Sequence, residues 1–221
     1  MRNRAFTLTE LIAIIAIVSV LAAVIIPTIS KLHSSSRSVA CLNNLRQIGK
    51  AFEISSSENN YRYPAPLAPN ADGSGAWHDV LSVQIYSSTF GRLTGSQIRA
   101  NVFKCPAANE GGTIISYGMN SDLAIFAAGA NKWNLYGFTK EPIMQQRIPN
   151  PSKTCLVIES IRSQSGSGNT FTTRVLPTTY RHSSNLNILY CDGHVETKPA
   201  SETPPTADTE AGNMFWRSGE G

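Results

Sequence analysis

From Leu11 to Ile26 the chain carries no charged side chain, and Ser19 is its only polar one. Phe6, Leu8 and the residues up to Ile29 extend this run to roughly 20 residues, about 30 Å of helix and enough to cross the hydrocarbon core of a bilayer. Arg2 and Arg4 lie on its N-terminal side. They predict a cytoplasmic N-terminus and an exported chain beyond Ile29. Glu10 is out of place in an ordinary anchor, because a lone carboxylate inside a membrane span costs roughly 2.5–3.5 kcal/mol on insertion scales. It needs a cationic partner. Cutting the chain between Ala5 and Phe6 creates an amine four residues before Glu10, and the amine of one copy can neutralise Glu10 of a neighbour. The competing reading is a secretory signal peptide cut after Val20-Leu21-Ala22. Against it stand Glu10 and the apolar run Ala23–Ile26 beyond that cut.

After Pro27 apolar residues recur at Ile29, Leu32, Val39, Leu42, Leu45, Ile48 and Phe52. Spacings of three, four and seven predict one helical stripe. Pro27 removes a backbone donor and predicts a kink or local loosening. Ser34-Ser35-Ser36 is a second weak point. The helix is expected to end within Ser55–Asn60. Its first half, residues 6–29, serves membrane or filament core, and its second half, residues 30–57, lies on a globular head.

The head, residues 58–200, reads as a small sheet with long loops. Asn187–Cys191 is rich in β-formers, Asp192-Gly193 is the favoured pair of a two-residue hairpin turn, and His194–Thr197 returns. Thr154–Ile158 is a second buried-strand candidate. Gly, Ser, Asn and Pro mark loops over 64–75 and 164–170. The tail, residues 201–221, holds Pro204-Pro205 and docks, if at all, by Met214-Phe215-Trp216.

Chemistry is sparse. His182, Asp192 and His194 are the candidates for a metal or catalytic site across the hairpin. Asp192 is also explained by turn geometry alone, and His182 by a hydrogen bond to a backbone group that fixes the entry of its strand. The structural explanation is preferred, so no metal or cofactor is expected. His33 and His78 have no partner pattern. The four cysteines, Cys41, Cys105, Cys155 and Cys191, lack zinc-finger spacing. Their even number suits an oxidising compartment, although buried thiols fit as well. Cys155 and Cys191 lie in the two strand candidates, as neighbours, paired or merely packed. No phosphate loop, Gly-x-Ser-x-Gly or His-Glu-x-x-His occurs, and nothing argues for an enzyme. The net charge of +4 includes Arg2 and Arg4, too weak a bias for nucleic-acid binding.

Ala5-Phe6-Thr7-Leu8-Thr9-Glu10-Leu11 resembles the processing motif of type IV pilins and type II secretion pseudopilins. Four segments of the head resemble a narrower pilin-related group with a C-terminal His, nine residues and Asp-Gly. They are Cys41–Ile48, Tyr61-Arg62-Tyr63-Pro64, Phe103-Lys104-Cys105-Pro106, and His182 with Asp192-Gly193-His194-Val195-Glu196. Ala5 replaces the usual Gly, Glu159 a frequent Asp, and Cys191 a small residue. The resemblance implies a pilin-like α+β fold, a long N-terminal helix packed on a mainly antiparallel sheet. It implies removal of residues 1–5 by a prepilin peptidase, methylation at Phe6, and assembly through Glu10. It also implies a Cys41–Cys105 bridge. The implied partners are other pilin or pseudopilin subunits and an inner-membrane assembly platform, with the head in the periplasm. The rival reading is a membrane-tethered exported protein that binds a glycan, surface or cargo. A weaker third is an exported metal-dependent enzyme at His182, Asp192 and His194.

Overall fold

A computed structural model describes residues 8–64, 66, 77–86, 102–108, 115–121, 123, 143–160, 172–173, 176, 180–205 and 209–217. Ala5 and Phe6 lie outside them, as do most of the loops read at 64–75 and all of 164–170. The chain is α+β. Helix α1, Leu8–Glu58, is a single helix of 51 residues, about 75 Å long. It continues as one helix through Pro27 and Ser34–Ser36. Two hydroxyls of the apolar half bond backward along it: Ser19 Oγ donates to Ile15 O at 2.7 Å and Thr28 Oγ1 to Val24 O at 2.9 Å. Such bonds satisfy a polar side chain without water.

No described side chain from residue 8 to 37 is buried. The buried stripe begins at Cys41 and continues through Leu45, Ile48, Ala51, Phe52, Ser55 and Ser56. This corrects the stripe read from the sequence. Ile29, Leu32 and Val39 are exposed, because that part of the helix projects beyond the head. The helix stops at left-handed Asn60 (φ 53°) and Tyr61 (φ 58°), with Tyr61 N–H bonded to Ser56 O at 2.8 Å. That bond closes the last turn over a left-handed residue.

The sheet is mainly antiparallel. Its strands are β2 (Tyr117–Asn120), β4 (Cys155–Glu159), β5 (Thr172–Thr173), β6 (Asn185–Tyr190) and β7 (Val195–Pro199), in the order β5-β2-β4-β6-β7. Only β5 runs parallel to its neighbour. A separate two-stranded ribbon pairs β1 (Arg62–Tyr63) with β3 (Ile143–Met144). All five residues of β4 are buried, as expected of a strand covered on both faces. On one face, Leu45, Ile48 and Phe52 of α1 pack with α2 (Trp77–Tyr86), Phe103, Tyr117, Met119, Val157 and Leu189. Phe52 stacks on Trp77 at 5.9 Å, and Trp77 meets Phe103 edge-on at 5.6 Å. On the other face Cys155, Ile158, Leu186, Ile188 and Tyr190 meet Phe215 and Trp216.

Those last two belong to α3, Glu210–Arg217, so the C-terminal segment closes the second, smaller core cluster. Thr209 Oγ1 caps α3 by accepting from Gly212 N–H at 3.0 Å. Asn120 Nδ2 ties the layers together, donating to Cys155 O at 2.8 Å and Trp216 O at 2.9 Å.

The turns differ from the expected ones. At Asp192-Gly193 the loop has three residues, Cys191–Gly193, closed by Gly193 N–H to Tyr190 O and by Tyr190 N–H to His194 O, both at 3.0 Å. Only Gly193 takes a positive φ, 90°. A two-residue type I′ turn needs positive φ at both central positions, whereas the three-residue loop needs it only at the last. The two-residue turn lies earlier, at left-handed Ser183 (φ 51°) and Ser184 (φ 68°), between bridged His182 and Asn185.

Candidate functional site

Among the described residues, two regions stand out for their chemistry or their exposed apolar surface. The first is the apolar half of α1. Leu11, Ile12, Ile15, Val18, Leu21 and Ile25 all leave about half or more of their surface exposed. The helix is long and apolar enough to cross a membrane. Glu10 stands in its first turn, where the dipole at the helix N-terminus favours a negative charge.

The second is a buried polar chain that runs from the sheet to α1. Cys41 of α1 and Cys105 are joined as a disulfide across 64 residues of sequence. The segment Phe103–Cys105 is held on α1 by Asn44, whose Nδ2 donates to Lys104 O at 3.0 Å. Tyr117 Oη donates to Cys41 O at 3.3 Å. Burial pushes the Tyr117 phenol far above its ordinary value, with Glu159 adding to the rise and the Asn44 hydrogen bond opposing it. Tyr117 therefore remains a neutral donor.

His182 reaches this chain from the Ser183–Ser184 turn. Its Nε2 lies 2.8 Å from Glu159 Oε1 and 3.5 Å from Cys105 Sγ. This corrects the expectation of a backbone partner near the hairpin: the ring meets two side chains. Asn187 Nδ2 donates to the same Glu159 oxygen at 3.0 Å, and Thr197 Oγ1 to Asn187 Oδ1 at 2.7 Å. Arg181, next to His182, donates to Ser116 O at 3.1 Å and Ser160 O at 2.8 Å, fixing the approach to the turn.

Asp192 and His194 lie at the opposite end of β6, about 17 Å away along a strand of that length. The group His182, Asp192 and His194 is therefore not assembled into one site. Asp192 and His194 form a local pair instead, with Asp192 Oδ1 2.6 Å from His194 Nδ1 and 3.2 Å from His194 N. The His194 ring stacks on Tyr190 at 4.3 Å. Gly193 abuts α1: a Cβ built on it would stand 2.8 Å from Glu53 Oε1. Gly49 of α1 gives a similar close approach, 3.0 Å from Leu189. These glycines seat the hairpin on the helix.

Cys155 and Cys191 are free buried thiols. Burial pushes both up, and for Cys191 the neighbouring Cys155 and Asp192 push further. His33 is exposed on α1 and His78 is buried beside Trp77 and Asp79. The sequence reading missed Glu159 as a partner of His182. A carboxylate that closes an otherwise apolar strand was the signal that something polar waits inside. No family model, no curated protein and no solved structure matches the chain.

Proposed function

We propose that the chain is a pilin-type structural subunit, a pilin or pseudopilin of a type IV pilus-like or type II secretion-like filament. On this reading the fold is pilin-like. A prepilin peptidase cuts between Ala5 and Phe6 and methylates the new amine. The helix then holds the chain in the inner membrane with its head in the periplasm, until a membrane platform passes the subunit into a filament of like subunits. One observation carries the reading. A single continuous helix leaves its apolar half bare on every side while its other half is the spine of a disulfide-pinned head. Such a surface needs a bilayer or neighbouring helices to cover it. Glu10 favours the second of these uses. A carboxylate in an apolar span is costly, and a neighbour's Phe6 amine would relieve that cost during assembly.

Two measurements test the proposal. Mass spectrometry of the mature protein should find N-methylated Phe6, and a start at Ala23 would defeat it. Glu10→Leu should insert in the membrane normally and lose most of its incorporation into sheared filaments. A tethered binding protein predicts no filament incorporation for either form.

A further inference from the structure

The buried end of the polar chain has the composition of a metal site. Cys41 Sγ, Cys105 Sγ, His182 Nε2 and a Glu159 carboxylate oxygen all lie within 4.8 Å of one another. They come from four separate places: α1, the 102–108 segment, the end of β4 and the turn before β6. None of the four residues is more than 4% exposed. We propose that, when Cys41 and Cys105 are thiols, these four groups bind a zinc-type divalent cation, and that oxidation to the disulfide expels it.

The donor set fits such an ion. Two thiolates, an imidazole and a carboxylate suit the borderline softness of zinc, with bonds of about 2.3 Å to sulfur and 2.0–2.2 Å to nitrogen and oxygen. Tetrahedral geometry then places ligand atoms roughly 3.3–3.8 Å apart. The 3.5 Å between Cys105 Sγ and His182 Nε2 already lies in that range. The 2.8 Å between His182 Nε2 and Glu159 Oε1 must open slightly. Sulfurs that lose their covalent bond must separate to nonbonded contact in any case.

A second observation points the same way. Glu159 Oε2 is fully buried and accepts no hydrogen bond among the described residues, while Oε1 takes both Asn187 and His182. A carboxylate with one orphaned buried oxygen is costly as it stands, and a cation would satisfy it. Two thiolates generated at this depth would also require a compensating charge, which a divalent ion supplies. The release step balances with a small-molecule disulfide as oxidant. The two protein thiolates give up two electrons and form the Cys41–Cys105 bond. The S–S bond of the oxidant breaks as it takes those electrons and two protons from water to become two thiols, and the divalent ion leaves to solvent.

The test uses the full-length chain in detergent micelles, reduced with a phosphine and titrated with zinc, or with cobalt as a spectroscopic probe. The reduced chain should bind one equivalent, with the absorption of tetrahedral cobalt–thiolate, and the oxidised chain none. His182→Gln and Glu159→Gln should each weaken zinc binding at least tenfold, and Cys41→Ser with Cys105→Ser should abolish it. Cys155→Ala with Cys191→Ala should leave it unchanged. Because site formation couples to folding, zinc should also raise the unfolding temperature of the reduced chain, even if the metal-free form is poorly folded. The proposal is overturned if zinc neither binds the reduced chain nor shifts its unfolding. It is overturned equally if binding survives undiminished in both His182→Gln and Glu159→Gln, or disappears with Cys155 and Cys191.

Discussion

The two halves of α1 are one helix in backbone and two materials in side chains. Among the described residues, 8–37 hold no buried side chain, although they contain most of the exposed large apolar ones. From Cys41 to Ser56 the same helix presents a narrow stripe to a closed core and mostly polar groups elsewhere. Continuous helix is cheap to extend once begun, so one backbone can serve both. The difference lies in what surrounds the side chains. The first half is apolar all round and needs an apolar environment from outside, while the second is amphipathic and finds its environment in the head. Stability of the head should therefore depend on the second half alone.

The largest expected effect follows from substituting one large apolar residue in each half. Phe52 is 1% exposed and lies between Tyr63 and Trp77. Phe52→Ala should cost about 3–5 kcal/mol through lost burial and the cavity it leaves. Leu21 is 56% exposed, and Leu21→Ala should alter head unfolding by no more than about 0.5 kcal/mol. Denaturant unfolding followed by tryptophan fluorescence compares them. Equal effects would mean that the two halves are not independent.

The next effect tests the boundary between them. Cys41 is the first buried residue of the stripe, and its bond to Cys105 closes a long loop. Opening that bond with a phosphine in chelator-treated buffer should cost about 2–4 kcal/mol. Hydrogen exchange should then rise first around residues 38–45. Uniform exchange along the buried half would show that packing, rather than the bridge, sets the boundary.

A smaller effect tests how the hairpin is seated. Gly193 combines a positive φ with the nearby Glu53 side chain. Gly193→Ala should cost roughly 1–2 kcal/mol, mainly from the left-handed backbone. Adding Glu53→Ala should recover little of it, because Glu53 is a flexible side chain that can move aside. Full recovery would make the helix contact, not the turn, the dominant constraint.

The parts that were legible in the sequence are those whose information is local. The unbroken apolar run announced the first half of α1, and Leu45, Ile48 and Phe52 announced the face that the head covers. Thr154–Ile158 and Asn187–Cys191 were readable as strands because β-formers cluster there, and the strands that form, Cys155–Glu159 and Asn185–Tyr190, are offset from them by one or two residues. The start of the buried stripe was not readable. Ile29, Leu32 and Val39 keep the same spacing as the buried residues, and periodicity does not say where the head ends. Asp192-Gly193 signalled a hairpin but not its length, since either loop accepts Asp before a left-handed Gly. Ser183-Ser184 gave no sign of a tight turn, because Ser is not among the residues that favour positive φ. The contact of His182 with Glu159 arises from sheet pairing, in which Ile158 faces Ile188 and brings Glu159 beside Asn187. Nothing in the spacing of 159 and 182 foretells it.

The smallest effect separates the halves by their titration. Between Leu11 and Ser30 α1 has no titratable side chain, so an alkaline response must come from elsewhere, chiefly the head. There burial holds Cys155 and Cys191 as neutral thiols, above their ordinary value of 9.0. In the unfolded chain both ionise near that value. Above it the unfolded state binds fewer protons than the folded one, so stability falls as pH rises and continues to fall toward the raised folded values. The decline sets in as pH approaches the ordinary value, because the unfolded thiols begin to ionise there. More than about one pH unit below it the two states bind protons equally and the contribution is flat. Between about pH 8 and pH 9 the two thiols together should remove roughly 0.5–1 kcal/mol from the unfolding free energy. Cys155→Ala with Cys191→Ala should flatten that slope. Tyr63, Tyr117 and Tyr190, raised chiefly by burial, extend the decline at higher pH. Denaturant midpoints of the phosphine-free, oxidised chain across this range measure it. A slope that persists without the two thiols would place the response in a group other than these cysteines.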